Sequence, residues 1–142
     1  MGKIANYSTT VTALKSIGEI QGILVTHGAK HILMDYENQE PIGLSFIIDT
    51  PFGETPFKLP ANIDRVWSVL NKQRVRVEVP RDMAVRVAWR ILKDWTRAQM
   101  AILDTEMVSI EQVFLPYMQV DGGKILYEVM LDHRLQLPKG ND

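Results

Sequence analysis

The chain contains no cysteine. Disulfides, thiolate nucleophiles and Cys-based metal sites are therefore excluded, which suits a reducing compartment. No apolar run approaches the ~18 residues that a membrane span needs. The first ten residues, Met1 to Thr10, lack the apolar segment of a secretory leader. Asn6 stands where an N-myristoylation pattern calls for Ser or Thr. No Walker loop, G-x-G-x-x-G fingerprint or G-x-S-x-G elbow occurs. Internal repeats and low-complexity segments are absent as well. Together these absences lead us to expect a cytoplasmic protein with no catalytic site and no cofactor.

What the chain does have is ordinary for a globular fold. Its 142 residues are 46% hydrophobic and 23% charged, enough to build one hydrophobic core without metal or disulfide support. The net charge of −1 hides an asymmetry. Eight of the 16 Lys and Arg residues lie between Lys72 and Arg97, with only Glu78, Asp82 and Asp94 among them. That window carries +5 and the rest of the chain −6.

The order of elements follows from periodicity. Residues 1–15 read as a flexible or edge-strand arm. Ser16 and Glu19 form a capping-box pattern, Ile17, Ile20, Ile23 and Leu24 share one side, and Gly28 stops the helix, so a first helix is expected over 17–27. Three strand-like stretches follow. His31–Tyr36 is the first, and Ile42, Leu44, Phe46 and Ile48 alternate through the second. Thr55–Leu59 is the third. The short turns between them require an antiparallel meander. Asn62 is placed to cap a helix whose seam is Ile63, Val66, Trp67 and Leu70. Arg74–Val79 alternates with period two, as a strand or an extended linker ending before Pro80. Ser109 and Gln112 open a short helix that Pro116 ends, Asp121-Gly122-Gly123 is a turn, and Ile125, Leu126, Val129 and Met130 suggest a last short helix. The tail 139–142 is frayed. The fold class is α+β: one domain over 16–138, its helices packed on one face of the sheet.

Asp82 to Asp104 dominates this plan. It lacks Pro and Gly and has the spacing of a long amphipathic helix. At ~100° per residue, Ala84, Val85, Ala88, Ile91, Leu92, Trp95, Ile102 and Leu103 share a broad apolar face. Arg86, Arg90, Lys93 and Arg97 fall opposite at spacings 4, 3 and 4. Such a row reads as an anion-binding face for nucleic-acid phosphates. Arg74 and Arg76 extend it, and Trp89 at its margin is placed to stack on an exposed base. The competing reading is a solvated helix face whose arginines pair with Asp82 and Asp94. Trp95 and Trp67 are assigned to the core.

Other chemistry is thin. His27 and His31 are four apart, but Gly28 intervenes between them and no third ligand is in reach, so no metal site is expected. Asp35 and Asp49 could meet at the sheet's edge without making an acid–base pair. The αβββα order of residues 16–71 matches the double-stranded RNA-binding domain. However, Pro60-Ala61-Asn62-Ile63-Asp64-Arg65 replaces that family's basic cluster, and the assignment fails.

Several strings carry a resemblance of a different kind. They are Gly18-Glu19-Ile20-Gln21 with His27-Gly28-Ala29, then Phe57-Lys58-Leu59-Pro60-Ala61-Asn62, Val87 to Trp95, Ala98-Gln99-Met100-Ala101, and Val113-Phe114-Leu115-Pro116-Tyr117. Over about residues 16–130 the chain resembles a set of small accessory proteins encoded by tailed phages and prophages. The resemblance implies expression inside a bacterial cell and transfers no catalytic residue. Two functions follow as expectations. One is a non-enzymatic nucleic-acid-binding protein of phage replication or recombination. The other is an inhibitor of a host defence system that binds a host protein or holds a nucleotide signal. The long helix and the three tryptophans also suggest a homodimer.

Overall fold

The stretch that alternates longest, Ile42 to Ile48, lies in the central strand of the only sheet among the described residues. The computed structural model describes residues 4–6, 10–73 and 78–133. Its elements are α1 (Ala13–Thr26), β1 (His31–Glu37), β2 (Glu40–Thr50), β3 (Gly53–Lys58), α2 (Ile63–Lys72), α3 (Arg81–Asp104), α4 (Ile110–Val113) and α5 (Leu126–Asp132), with 3-10 turns at Leu115–Tyr117 and Asp121–Gly123. The sheet order is β1-β2-β3, antiparallel throughout. The fold class is α+β, as the element order requires.

Register decides which side chains enter the core. Ile32, Phe46 and Phe57 form one cross-strand row, and Met34 with Leu44 and Ile48 with Thr55 form its neighbours. These positions face the helices. Leu44, Phe46 and Phe57 are essentially inaccessible to solvent and join Ile17, Ile20 and Leu24 of α1 and Ala84, Ala88 and Trp89 of α3 in one core. Phe114 closes one end. Its ring lies 5.5 Å edge-on from Phe46, 6.0 Å from Phe57 and 5.6 Å edge-on from Trp95. Tyr117 adds a further edge-on contact to Trp95. Aromatic pairs at these separations favour such T-shaped geometry. Trp95 is thus half-buried against rings rather than in water, and Trp67 is half-buried too, donating its Nε1–H to the Val79 carbonyl at 2.7 Å.

The first helix departs from the sequence expectation. It begins at Ala13, with Thr12 as N-cap accepting from the Lys15 N–H at 3.2 Å. Thr12 offers the same capping chemistry one turn earlier, and Ala13, Leu14 and Lys15 are good helix formers. Ser16 is therefore buried inside the helix, where its hydroxyl has no partner, and Glu19 is released for a different contact. The expected boundary of the arm moves with it. Ile4 packs against the core and donates its N–H to Gln73 Oε1 at 3.0 Å. Asn6 donates to Asp94 Oδ2 at 2.9 Å, so residues 4–6 are fastened to the helix layer. The expectations for residues 1–3, 7–9, 74–77 and 134–142, which include the end of the expected domain at 138, fall outside the described residues.

Other local signals match. Asn62 Oδ1 accepts from the Arg65 N–H, Gln112 Oε1 accepts from the Ser109 N–H, and Gly28 takes the left-handed conformation (φ 101°) that ends α1. Gly122 and Gly123 also have positive φ, which turns the chain between Gln119 and Ile125. The C-terminal part does more than cover a face. Met118 forms a bridge to Phe57, and Gln119 donates its N–H to the Pro56 carbonyl at 2.8 Å. The outer edge of β3 is thereby partly paired.

Candidate functional site

The row of cations on α3 comes first, because the spacing singled it out. The helix runs unbroken from Arg81 to Asp104. Arg86 Nη1 meets Asp82 Oδ2 at 2.7 Å, an i,i+4 pair. Arg90 Nη1 lies 3.4 Å from Glu19 Oε2 on α1. Lys93 is 2% exposed, its ammonium 2.6 Å from Asp94 Oδ1 and 3.7 Å from the same Glu19 oxygen. Arg97 is exposed and has no partner among the described residues. Among the described residues, three carboxylates, Asp82, Glu19 and Asp94, stand among these four cations and leave one net positive charge.

Two expectations are corrected here. Lys93 does not look out at solvent but lies between α3 and α1, because Glu19 supplies an inward charge that the spacing within α3 cannot reveal. Trp89 is fully buried and donates its Nε1–H to the Pro41 carbonyl at 3.0 Å. No base can stack on it. Asp82, Arg86, Arg90 and Asp94 in fact form one i,i+4 series, so the row carries acid at both of its ends. The Lys93 ammonium and the Asn6 amide hold the Asp94 carboxyl below the ordinary carboxylate range. Arg74 and Arg76 lie outside the described residues.

The second place is a cleft where the β1–β2 hairpin meets the start of α2 and of α3. It is a depression of about 570 Å³, open to solvent, lined by Asp35, Glu37, Glu40, Lys58, Asp64 and Arg81 together with Asn38, Asn62, Gly43 and apolar neighbours. This volume lies in the range of ligand pockets. Sequence reasoning missed its central residue. Arg81 stands in the first turn of α3, where a cation opposes the helix dipole. It is held by carboxylates instead. Its Nε and Nη2 donate to Glu40 at 2.9 and 2.8 Å, its Nη1 donates to Asp64 at 2.5 Å, and its guanidinium lies 5.1 Å from the Trp67 ring centroid. Hydrogen bonds to Glu40 and then Asp64 push its pKa well above the ordinary arginine value. An Arg at a helix start was the available signal that nearby acids must exist.

The hairpin shows why the cleft is acidic. Glu37 is directly opposite Glu40 across the strands, a like-charge pair that costs stability unless a cation intervenes. The other end of the sheet has the same problem, with Asp49 opposite Glu54. There Lys30 reaches both acids, at 2.7 and 3.8 Å, and Asp49 raises the lysine's pKa. At the hairpin, Arg81 takes Glu40 alone. Glu37 and Asp35 keep no ion pair or side-chain hydrogen bond among the described residues. Asp35 projects over Gly43, where an added Cβ would come within 3.4 Å of its Oδ2, so the glycine keeps the floor open.

Asp35 and Asp49 do not meet. Asp35 pairs with Gly43, and Asp49 lies six residues further along β2 on the same face, or ~20 Å away at ~3.3 Å per residue. His27 caps the C-terminus of α1 while His31 opens β1, and the His27 Nε2 lies 3.0 Å from Asp104 Oδ1. Among the described residues no group of three or more His, Asp or Glu gathers as a metal cage, and no helix is long and apolar enough to cross a membrane. No family model, curated protein or solved structure matches the chain.

Proposed function

We propose that this chain is a non-enzymatic binding protein of the phage accessory type that docks on another protein, its hairpin cleft receiving a basic side chain of the partner. The observation that carries this reading is the pair of carboxylates, Asp35 and Glu37, that make no ion pair or side-chain hydrogen bond among the described residues, in a cleft of about 570 Å³ where Lys58 comes near Asp35 over Gly43. The same cleft already contains a working example of guanidinium capture in Arg81, gripped by two carboxylates and an indole. Four acids (Asp35, Glu37, Glu40, Asp64) against two bases (Lys58, Arg81) give the lining a net charge of −2. That sign favours a cationic group and disfavours a phosphate, so a host protein suits it better than a nucleotide signal. Inhibition of a host defence protein is the phage-type role that such docking serves.

Nucleic-acid binding is the second reading, and Arg97 is the observation in its favour: an exposed cation on α3 with Arg86 and Arg90 half-exposed nearby. With one net charge on that row, few counterions would be released on binding, and affinity would be weak.

A titration followed by amide chemical shifts separates the two. An Arg- and Lys-containing peptide is expected to perturb residues 35–43 and 58–64, and Asp35→Asn with Glu37→Gln is expected to weaken it at least about tenfold, roughly the loss of one charge-assisted contact. Asp104→Asn, remote from the cleft, serves as the control. Perturbation by a DNA or RNA oligonucleotide along α3, with no response to the peptide, would overturn the reading.

A further inference from the structure

The two edges of the sheet are treated differently. The outer edge of β3 is partly paired by Met118 and Gln119. Among the described residues nothing pairs with the outer edge of β1. Natural proteins blunt such an edge with proline, inward charge, a bulge or a covering segment, because its free N–H and C=O groups are a template for another strand. β1 has no proline, and its one irregularity falls between Asp35 and Tyr36. The regular part is therefore His31–Asp35, and its midpoint is Leu33.

The side chains along this edge are also unfinished. Leu33, on the sheet face away from the helices, is 63% exposed. Ile32 and Met34 point toward the helix layer but remain half-buried, whereas their neighbours Phe46 and Leu44 on β2 are buried. The helix layer stops short of the sheet's edge.

We infer that the β1 edge pairs with β1 of a second copy of this chain, antiparallel about a two-fold axis at Leu33, to make a continuous six-stranded sheet. Charge supports this occupant over an unrelated strand. His31 stands at one end of β1 and Asp35 at the other, while Lys30, just before the strand, is already held by Asp49 and Glu54. Antiparallel self-pairing sets His31 opposite Asp35 and Ile32 opposite Met34, with Leu33 facing its own copy, and brings no like charges together. Parallel pairing in register would place acid on acid. An interface of this kind is isologous, so a single self-complementary strand builds both halves. Ile32 and Met34 of the two copies then cover one another across the seam.

The absence of cysteine makes the test clean, since one introduced thiol is the only one in the chain. Light scattering on a sizing column is expected to give twice the chain mass. Oxidation of Leu33→Cys is expected to give one covalent dimer, because directly opposed residues have Cβ atoms ~5 Å apart. Tyr127→Cys, also exposed but on α5, is expected to stay monomeric on a denaturing gel. Leu33→Lys sets like charges on the axis and is expected to halve the native mass while circular dichroism and melting temperature of the subunit hold. A native mass of one chain at every concentration tested would overturn the inference. So would a dimer that survives Leu33→Lys and cross-links through Tyr127→Cys but not Leu33→Cys.

Discussion

The two halves of α3 live in different surroundings. From Arg81 to Lys93, seven residues are buried: Ala84, Val85, Val87, Ala88, Trp89, Leu92 and Lys93. From Asp94 to Asp104 only Thr96 and Met100 are. The first half is gripped by the hairpin neck through Glu40 and Pro41, by α2 through Trp67, and by α1 through Glu19. The second half has α1 alongside, with His27 at Asp104, and the Phe114 and Tyr117 rings at its start. A helix wheel assumes one inside and one outside along the whole length. Here the outside is wide only in the second half, so a charged residue's role depends on which half it occupies. Arg97 is surface, while Lys93, one turn earlier, is interior.

Substitutions should break this contrast unequally. Trp89→Ala removes the largest fully buried side chain and leaves the Pro41 carbonyl without its donor; a loss of about 3–5 kcal/mol is expected in denaturant unfolding. A loss below ~1 kcal/mol, the size of a surface change, would mean that the first half is not enclosed. Arg81→Ala frees the Glu40 and Asp64 carboxylates and uncovers Trp67, and about 2–3 kcal/mol is expected from the lost charge-assisted bonds. Lys93→Ala leaves Glu19 and Asp94 without the ammonium between them, at an expected cost of about 1–2 kcal/mol, below the fully buried case because both carboxylates reach solvent. Arg97→Ala should change stability by less than ~0.5 kcal/mol. If Lys93→Ala and Arg97→Ala cost the same, the contrast between the halves is wrong.

Acid sharpens the same comparison. The Asp94 pKa is lowered in the folded chain by Lys93 and Asn6. A depressed carboxylate adds stability that is present above its unfolded value, near pH ~4, and is lost as pH falls through the folded value. Asp94→Asn should therefore flatten the acid limb of a stability–pH curve below pH ~4 and leave its slope near neutrality unchanged. An acid limb identical in the variant would remove the Lys93–Asp94 pair from the description.

Much of the fold was legible because local chemistry agreed with the tertiary result. The alternation of Ile42, Leu44, Phe46 and Ile48 set the central strand, Asn62 capped α2, Ser109 with Gln112 opened α4, and Gly28 ended α1. The start of α1 was not legible, because Thr12 and Ser16 both fit an N-cap and only burial of Ser16 decides between them. The site was less legible than the fold. Glu19 lies 71 positions from Arg90 and Glu40 lies 41 from Arg81, so their pairing is a tertiary fact. Trp89 is marginal on a wheel and central in the core, because the hairpin neck folds over that side of the helix. Asp82 and Asp94 fall in the same i,i+4 row as Arg86 and Arg90, and their spacing alone already lowers the apparent charge of that row. Only the third acid, Glu19, needs the fold to bring it there.

The most direct measurement is the affinity of the protein for single- and double-stranded oligonucleotides from low to physiological salt, in the wild type and in Arg97→Ala. With one net charge on the row of Arg86, Arg90, Lys93 and Arg97 together with its three carboxylates, binding should be weak at low salt and fall with a log–log slope of no more than about one, vanishing in the variant. Tight binding with a slope of about four, the value for four free phosphate contacts, would contradict the pairing of Arg86, Arg90 and Lys93 with their carboxylates.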